Sequence, residues 1–293
     1  MATESARAGL LSVVGTPIGN LEDASPRCLA TLAAADAILC EDTRVTAKLL
    51  ARYEIRMPLE RCDENVIASR AAGVVERLRA GARLAFASDA GMPCISDPGQ
   101  RLVDAVLDAG LAVEVVPGPS AVSCAIAASG LSCENFFFEG FLPRKAGERT
   151  RRLERLASVP GALVVYESPH RVARTLADIA AVMPGRRVAL CRELTKLHEE
   201  VVRGMAGELA ELVAARDEVR GECVVVVEAP GEDELAGREA AAAGEPSLEE
   251  AVAAGVAAGE PKSALAKRLA RAYGVSRSEA YELVLRAAEA AGE

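Results

Sequence analysis

Tryptophan is absent from the chain, and aromatic residues make up only 3% of its 293 positions. Because the hydrophobic content is nevertheless 51%, packed cores must be built mainly from alanine, valine and leucine. Histidine occurs twice, and no two of the eight cysteines form a C-x-x-C pair. The sequence therefore predicts neither a zinc site nor a disulfide framework, and no metal is expected.

The chain also lacks an excess of positive charge. Its formal net charge of -9 excludes a protein that coats nucleic acid through overall charge, so any such contact must come from local basic patches. No run of 18 apolar residues occurs, and the polar stretch 1–9 carries no apolar signal region. We expect residues 1–9 to be a disordered tail and the protein to be soluble in a reducing cytoplasm.

The stretch 83–99 is the most informative part of the chain. A short apolar run ends at Ser88 and Asp89 and is followed by a loop rich in glycine and proline. In open α/β sheets, ligands bind outside the carboxyl ends of the strands, and Gly91 would let backbone groups approach a ligand closely. The alternative is an ordinary turn into a helix, with Asp97 as N-cap and Pro98 at the first helical position.

Two more predicted strands end in similar turns. Strands at 10–14 and 112–116 are followed by Gly15-Thr-Pro-Ile-Gly-Asn and Pro117-Gly-Pro-Ser-Ala. The first turn lacks the spacing of a dinucleotide or P-loop motif, and alone it could be purely structural. All three turns are expected along one edge of a parallel sheet, which favours a ligand site there.

A fourth predicted strand, 37–40, ends in Glu41-Asp42-Thr43-Arg44. Two carboxylates beside an arginine could provide a general base with its orienting cation. The same residues could equally form a helix cap with a surface ion pair, and the sequence leaves both interpretations open.

The pattern of the chain resets near residues 130–135, where we place a boundary between two α/β domains, 10–132 and 133–228. The second domain is predicted to contain strands at 161–166, 186–191 and 223–228. Between Arg144 and Arg155 there are six basic and two acidic residues. Such a run is a candidate phosphate contact, although a solvated helix face is the commoner meaning.

Residues 229–246 contain five acidic residues, six alanines and three glycines, a composition typical of a flexible linker. Beyond it, three short helices are predicted over 247–293, and the turn Tyr273-Gly274-Val275-Ser276 has the outline of a helix-turn-helix. The stretch 261–278 has five basic residues and no acidic one. That charge favours nucleic-acid binding, and a packing or dimerisation module is the alternative.

Six motifs, in this order and at these spacings, resemble the RsmI family, the bacterial 16S rRNA (cytidine 2'-O)-methyltransferases of the tetrapyrrole-methylase-like superfamily. The motifs are Gly15–Asn20, Glu41–Arg44, Ser88–Gly99, Pro117–Ala121, Gly140–Arg144 and Tyr166–Arg171. The resemblance covers about residues 10–228, and the terminal helices resemble that family's helix-turn-helix-like extension. It implies two α/β domains with S-adenosylmethionine in the cleft between them, and a homodimer that methylates a decoding-region cytidine of the 30S subunit.

Carried over position by position, the resemblance implies a set of cofactor contacts. These are Pro17, Ala90, Gly91, Met92, Ile95, Ser120, Ala121 and Tyr166. Tetrapyrrole methylases usually have Gly-Asp-Pro in the central loop, whereas this chain has Gly91-Met92-Pro93. The difference agrees with the rRNA branch and counts against a porphyrinoid substrate.

A ribose hydroxyl is a poor nucleophile unless a base or a cation helps to remove its proton. Asp42 and Asp89, both at predicted strand ends, are the candidate bases, and Lys196 is a candidate to stabilise the developing alkoxide. Candidate RNA contacts are Arg44, Arg144, Lys145, His170 and Arg171. His170 and His198 have no predicted catalytic partner, so RNA contact or simple structural hydrogen bonding is preferred for both.

Two other functions are compatible with parts of this pattern. A DNA-binding regulator would use the C-terminal helices for recognition and the α/β body to sense a small molecule. A methylase of a tetrapyrrole-like molecule would share the fold, but Met92 and the basic segments count against it.

Overall fold

The computed structural model describes residues 9–235, 238, 246 and 248–290. Contacts divide the chain into two compact units. A body combines Met1–Leu142 with Ala162–Glu228, and a C-terminal unit combines Pro143–Gly161 with Ala229–Glu293. Most of the predicted tail and half of the predicted linker lie outside the described residues. In the described part of the linker, residues 232–235 are helical.

The first sheet of the body is parallel and has the strand order β3-β2-β4-β1-β5. Its strands are β1 (Leu10–Val14), β2 (Ala37–Cys40), β3 (Leu59–Arg61), β4 (Arg83–Ala87) and β5 (Ala112–Val116). Because all five run in the same direction, their carboxyl ends meet at one edge, as the sequence predicts.

Helices cover both faces of this sheet. They are α1 (Pro26–Ala34), α2 (Thr43–Arg52), α3 (Ile67–Arg79) and α4 (Gln100–Asp108). Helices α3 and α4 pack on one face around Phe86, and α1 and α2 pack on the other around Leu32. Strands buried on both faces need continuous apolar runs, and β2 with the sequence Ala-Ile-Leu-Cys is such a run.

The second sheet is mixed and has the order β6-β7-β10-β8-β9, in which only β6 and β7 pair in parallel. Its strands are β6 (Phe136–Phe141), β7 (Ala162–Glu167), β8 (Arg187–Arg192), β9 (Glu200–Met205) and β10 (Cys223–Val227). Helices α5 (Ala121–Ser129), α7 (Val172–Val182) and α8 (Ala206–Ala214) complete the body. Helix α5 shares a buried cluster with the second sheet, which includes Ala125, Cys191 and Val224.

The C-terminal unit is helical. It contains α6 (Ala146–Leu156), which the chain inserts between β6 and β7, together with α9 (Leu248–Ala257), α10 (Lys262–Tyr273) and α11 (Arg277–Ala290). The last three helices share a core around Leu265, Leu269 and Val284. Gly274 ends α10 in the left-handed conformation, so the predicted turn is confirmed, and the Ser276 hydroxyl caps α11 by accepting the backbone N–H of Glu279.

In the part of the chain that the structure describes, no helix is long and apolar enough to cross a membrane. Over the same residues, no group of three histidine, cysteine or acidic side chains could hold a metal ion.

Candidate functional site

Three strand-end turns of the first sheet are joined by their backbones. Thr16 and Gly91 exchange two hydrogen bonds of 2.9 and 3.1 Å, and the Gly15 N–H donates to the carbonyl of Val116 over 2.9 Å. A Cβ on Gly15 would lie 2.6 Å from the nitrogen of Gly118. Only a residue without a side chain allows this approach, so the glycines hold the turns together.

The loop 88–99 does not lead into α4 as an ordinary turn with Asp97 as N-cap would. Asp97 is not an N-cap and Pro98 is not the first helical residue, because α4 begins at Gln100 with Gly99 as its N-cap. Gly99 has φ +136°, and a Cβ there would lie 2.5 Å from the ring of Phe86. Ser96 also has a positive φ, of 60°. Residues with a positive φ cannot extend α4 toward its N-terminus. Residues 88–99 therefore form a loop of defined conformation rather than a first helical turn.

A cavity of about 400 Å³ opens beside this loop, within the size range typical of small-molecule sites. Seven of the eight predicted cofactor contacts line it: Ala90, Gly91, Met92, Ile95, Ser120, Ala121 and Tyr166. Pro17, the eighth, is buried and does not line the cavity, whereas its neighbour Ile18 does. The structure thus brings together residues from three turns of the first sheet and from β7.

Sequence reasoning missed much of the opposite wall. It is formed by the second sheet and its loops, through residues that include Phe141, Ser168, Cys191, Leu194 and residues 221–224. The rings of Phe138 and Phe141 pack edge-on against Tyr166, with centroids 4.9 and 5.7 Å away. Four of the chain's five phenylalanines lie within residues 136–141, and this cluster was the available indication, since aromatic residues are scarce elsewhere in the chain.

Asp97 is the carboxylate most strongly affected by this environment. It is half-buried in the cavity wall, and burial raises its pKa to about 6, although a hydrogen bond with Ser88 opposes the shift. Burial also raises the pKa of the Tyr166 hydroxyl to about 12. Both groups are therefore held largely in the charge state that they have in water at pH 7.

The two candidate bases sit in different surroundings, and neither lines the cavity. Asp42 caps α2 by accepting the Arg44 N–H at 2.8 Å and pairs with the Arg44 guanidinium at 2.5 Å. Hydrogen bonds from Arg44 lower the pKa of Asp42 to about 2. Asp89 accepts the backbone N–H of Asp42 over 2.9 Å, yet burial raises the pKa of Asp89 above its ordinary value.

The remaining predicted residues of the body are held by ion pairs or lie at the surface. Lys196 pairs with Glu193 and Glu222, each over 2.8 Å, and Glu222 lines the cavity. Burial opposes the charge of Lys196, but its two carboxylate partners raise its pKa overall.

Arg171 pairs over 2.5 Å with Glu167, whose side chain is completely buried. Glu167 also accepts the Thr175 hydroxyl and the Ser168 N–H, each over 2.7 Å. Arg171 therefore neutralises a buried carboxylate at the end of β7. His170 and His198 are exposed in loops of the body.

Arg144 and Lys145 belong to the C-terminal unit, at the start of α6. Both are exposed, and the Lys145 ammonium pairs with Glu148 over 3.0 Å.

Residues 10–210 match the family model of the tetrapyrrole (corrin/porphyrin) methylases. Among solved structures, a cobalt precorrin-4 methyltransferase aligns with 78% of this chain and 98% of its own, at 16% identity and a TM-score of 0.59. A uroporphyrin-III C-methyltransferase from Thermus thermophilus, complexed with S-adenosyl homocysteine, aligns with 75% of this chain and 97% of its own, at 20% identity and a TM-score of 0.53. These two likenesses show the fold alone, and the family model defines the class of protein, that of the tetrapyrrole methylases.

Proteins named ribosomal RNA small subunit methyltransferase I are similar over nearly the whole length. That of Mesorhizobium japonicum is 42% identical over 97% of this chain and 94% of its own. That of Mycobacterium bovis is 42% identical over 97% of both chains. The chain therefore belongs to the tetrapyrrole methylase family, in the branch of the small-subunit rRNA methyltransferases I, and the predicted resemblance is confirmed.

Proposed function

We propose that this chain transfers a methyl group from S-adenosylmethionine to the ribose 2'-hydroxyl of a decoding-region cytidine in the 16S rRNA of the small ribosomal subunit. The observation that carries the proposal is the cavity at the strand ends, in a chain whose full-length relatives are named small-subunit rRNA methyltransferases. The names of those relatives give no support to a DNA-binding regulator or to a tetrapyrrole methylase.

The residues around the cavity fit a cationic cofactor of this kind. S-adenosylmethionine supplies an electrophilic methyl group on a positively charged sulfur. Half-buried Asp97 faces the cavity, and a positive group beside it would offset the cost of burying its carboxylate. The loop Ala90–Met92, with Gly91 at φ +79°, lines one side of the cavity, and Ile18 and Leu194 offer apolar surface.

Within this proposal, the eight residues carried over from the resemblance are the cofactor contacts, with Pro17 acting through the turn that places Ile18. The reaction is an in-line displacement, so much of its rate comes from holding the ribose oxygen behind the methyl carbon. The strand-end turns, which are joined by backbone hydrogen bonds, would hold the cofactor in place for this displacement.

Asp89 is the better of the two proposed bases. A carboxylate whose pKa is raised by burial accepts a proton more readily near neutral pH than one held at about 2, as Asp42 is. Lys196 stays charged and is proposed to stabilise developing negative charge on the ribose oxygen. Arg44, Arg144, Lys145, His170 and Arg171 are the proposed contacts to RNA. A cytoplasmic homodimer is part of the same proposal.

The decisive experiment is transfer of labelled methyl from S-adenosylmethionine to 30S subunits that lack this modification, with the product mapped at nucleotide resolution. We expect a single 2'-O-methylcytidine in the decoding region. Cofactor binding in the absence of any transfer to 30S subunits or 16S rRNA would contradict the proposal and leave the methyltransferase fold intact.

A further inference from the structure

The C-terminal unit contains a groove of about 1040 Å³, which shares no lining residue with the cavity at the strand ends. Its walls come from α6, from α10 and from the turn between α10 and α11. Six of the side chains that line it are basic and two are acidic. The basic ones are Arg151, Arg155, Arg238, Lys267, Arg271 and Arg277, and the acidic ones are Glu148 and Glu154. In a chain of net charge -9, this is a strong local reversal of sign.

Four of these cations have no ion-pair partner among the residues that the structure describes. Within the described ranges, no carboxylate partner is found for the exposed side chains of Arg151, Arg155, Lys267 and Arg271. Most arginines of the body, by contrast, face an acidic partner. A set of like charges around one groove costs free energy through mutual repulsion, and an anionic ligand would reverse that cost.

The groove is assembled from segments that are more than one hundred residues apart in the sequence. Gly274 takes φ +68° at the end of α10, and a Cβ there would lie 3.9 Å from the Nη1 atom of Arg155 on α6. The turn between α10 and α11 therefore approaches the basic face of α6. Side chains from the two basic runs of the sequence, 144–155 and 261–278, therefore line the same groove.

We propose that this groove binds the sugar-phosphate backbone of the rRNA substrate, chiefly through Arg155, Lys267 and Arg271. The inference rests on the proposed function, which supplies the polyanion. Guanidinium groups bind phosphate oxygens through two parallel hydrogen bonds, and an ammonium group adds a mobile point charge. Contacts of this kind give affinity and orientation rather than sequence specificity, so the groove anchors the RNA while the cavity performs the chemistry.

The test compares two full-length triple variants with equal loss of charge. One removes groove cations, Arg155→Gln with Lys267→Gln and Arg271→Gln. The matched control, Lys262→Gln with Arg268→Gln and Arg286→Gln, changes cations of α10 and α11 that do not line the groove. Binding of labelled 16S rRNA is measured on filters without cofactor from about 50 to 200 mM salt, together with the affinity for S-adenosylmethionine.

For the groove variant we expect at least about a tenfold loss of RNA affinity, and a salt slope of log K reduced by about 2, since each lost phosphate contact in single-stranded RNA removes roughly 0.7. Cofactor affinity should be unchanged, and the control should bind RNA nearly as the wild type does. Equal RNA affinity of the two variants, or tighter wild-type binding to duplex DNA than to 16S rRNA, would overturn the inference. RNA binding that depends on the groove, but without methyl transfer by the wild type, would refute the proposed function alone.

Discussion

The cavity among the strand-end turns is walled largely by backbone and apolar side chains, whereas the groove of the C-terminal unit is walled by cations. Shape is fixed in the cavity by glycine contacts such as the approach of Gly15 to Gly118. In the groove, long flexible side chains carry the charge and no close backbone contact is needed. A small cofactor is recognised by shape and a few placed polar groups, and a polyanion by the density of charge.

The largest expected effect concerns the cavity, whose shape is fixed by close contacts between glycines. In Gly15→Ala the new Cβ would lie 2.5 Å from the Met92 sulfur and 2.6 Å from the Gly118 nitrogen, so the turns must separate. We expect the affinity for S-adenosylmethionine to fall by two orders of magnitude and the free energy of unfolding to fall by about 2–3 kcal/mol. Calorimetric titration and thermal denaturation measure the two quantities.

Gly73→Ala is the control, because Gly73 lies in α3 and a Cβ there meets nothing within 4 Å. That change should leave cofactor affinity intact and leave stability unchanged or slightly higher. Unaltered cofactor affinity in Gly15→Ala would show that the close approach of the turns is not what shapes the cavity.

A smaller effect on the fold, confined to the reaction rate, is expected from substitution of the two candidate bases. Asp89→Asn should slow the single-turnover rate by about 10²–10⁴-fold, whereas Asp42→Asn should remain near the wild-type rate because asparagine also caps a helix. The wild-type rate should rise with pH as Asp89 loses its proton and level off above its raised pKa. Near-normal rates with cofactor bound in both variants would end the case for acid–base catalysis by these carboxylates.

The smallest expected effect is on stability, and it compares an ion-paired cluster of the body with a groove cation that has no carboxylate partner among the described residues. Glu200 accepts hydrogen bonds from Arg192 over 3.1 Å and Arg216 over 2.8 Å, and these bonds lower its pKa. Glu200→Gln should reduce the free energy of unfolding at pH 7 by about 1 kcal/mol, and Arg271→Gln should not change it. Urea denaturation checks both.

The pH dependence of this effect has a defined sign. The stabilisation by Glu200 is present above its unfolded-state pKa of about 4.3 and is lost as the pH falls through the lower folded-state pKa. The difference between wild type and Glu200→Gln should therefore shrink as the pH is lowered below about 4.3. A loss of stability in Arg271→Gln equal to that in Glu200→Gln would show that the groove cations hold the fold rather than a ligand.

Much of the first sheet could be predicted because its inner strands, β1, β2 and β4, are almost wholly buried and its strands other than β3 read as short apolar runs. The strand β5 was expected at 112–116 and is found there. The strand β3, of three residues, and β9, whose burial alternates along Glu200–Met205, were missed. A three-residue strand has too little periodicity to detect, and an edge strand with polar residues resembles a loop.

The side of the cavity formed by the strand-end turns was predictable from motifs, and the opposite wall was not. Ala90–Met92 and Ser120 follow strands directly, so their place at the sheet edge follows from strand direction. Residues 221–224 reach the cavity through the pairing of β10 with β7 and β8. Nothing local in that segment indicates its partners, because sheet order is set by tertiary packing. The grouping of α6 with the C-terminal helices was unpredictable for the same reason.

The insertion of α6 also determines how the C-terminal unit is attached. The polypeptide passes between the two compact units three times, near residues 142–143, 161–162 and 228–229. A single protease cut after residue 229 would therefore not release the whole unit, because 143–161 would stay covalently joined to the body at both ends. A gene truncated at that point would encode a body that still carries α6, with its basic face and without its helical partners.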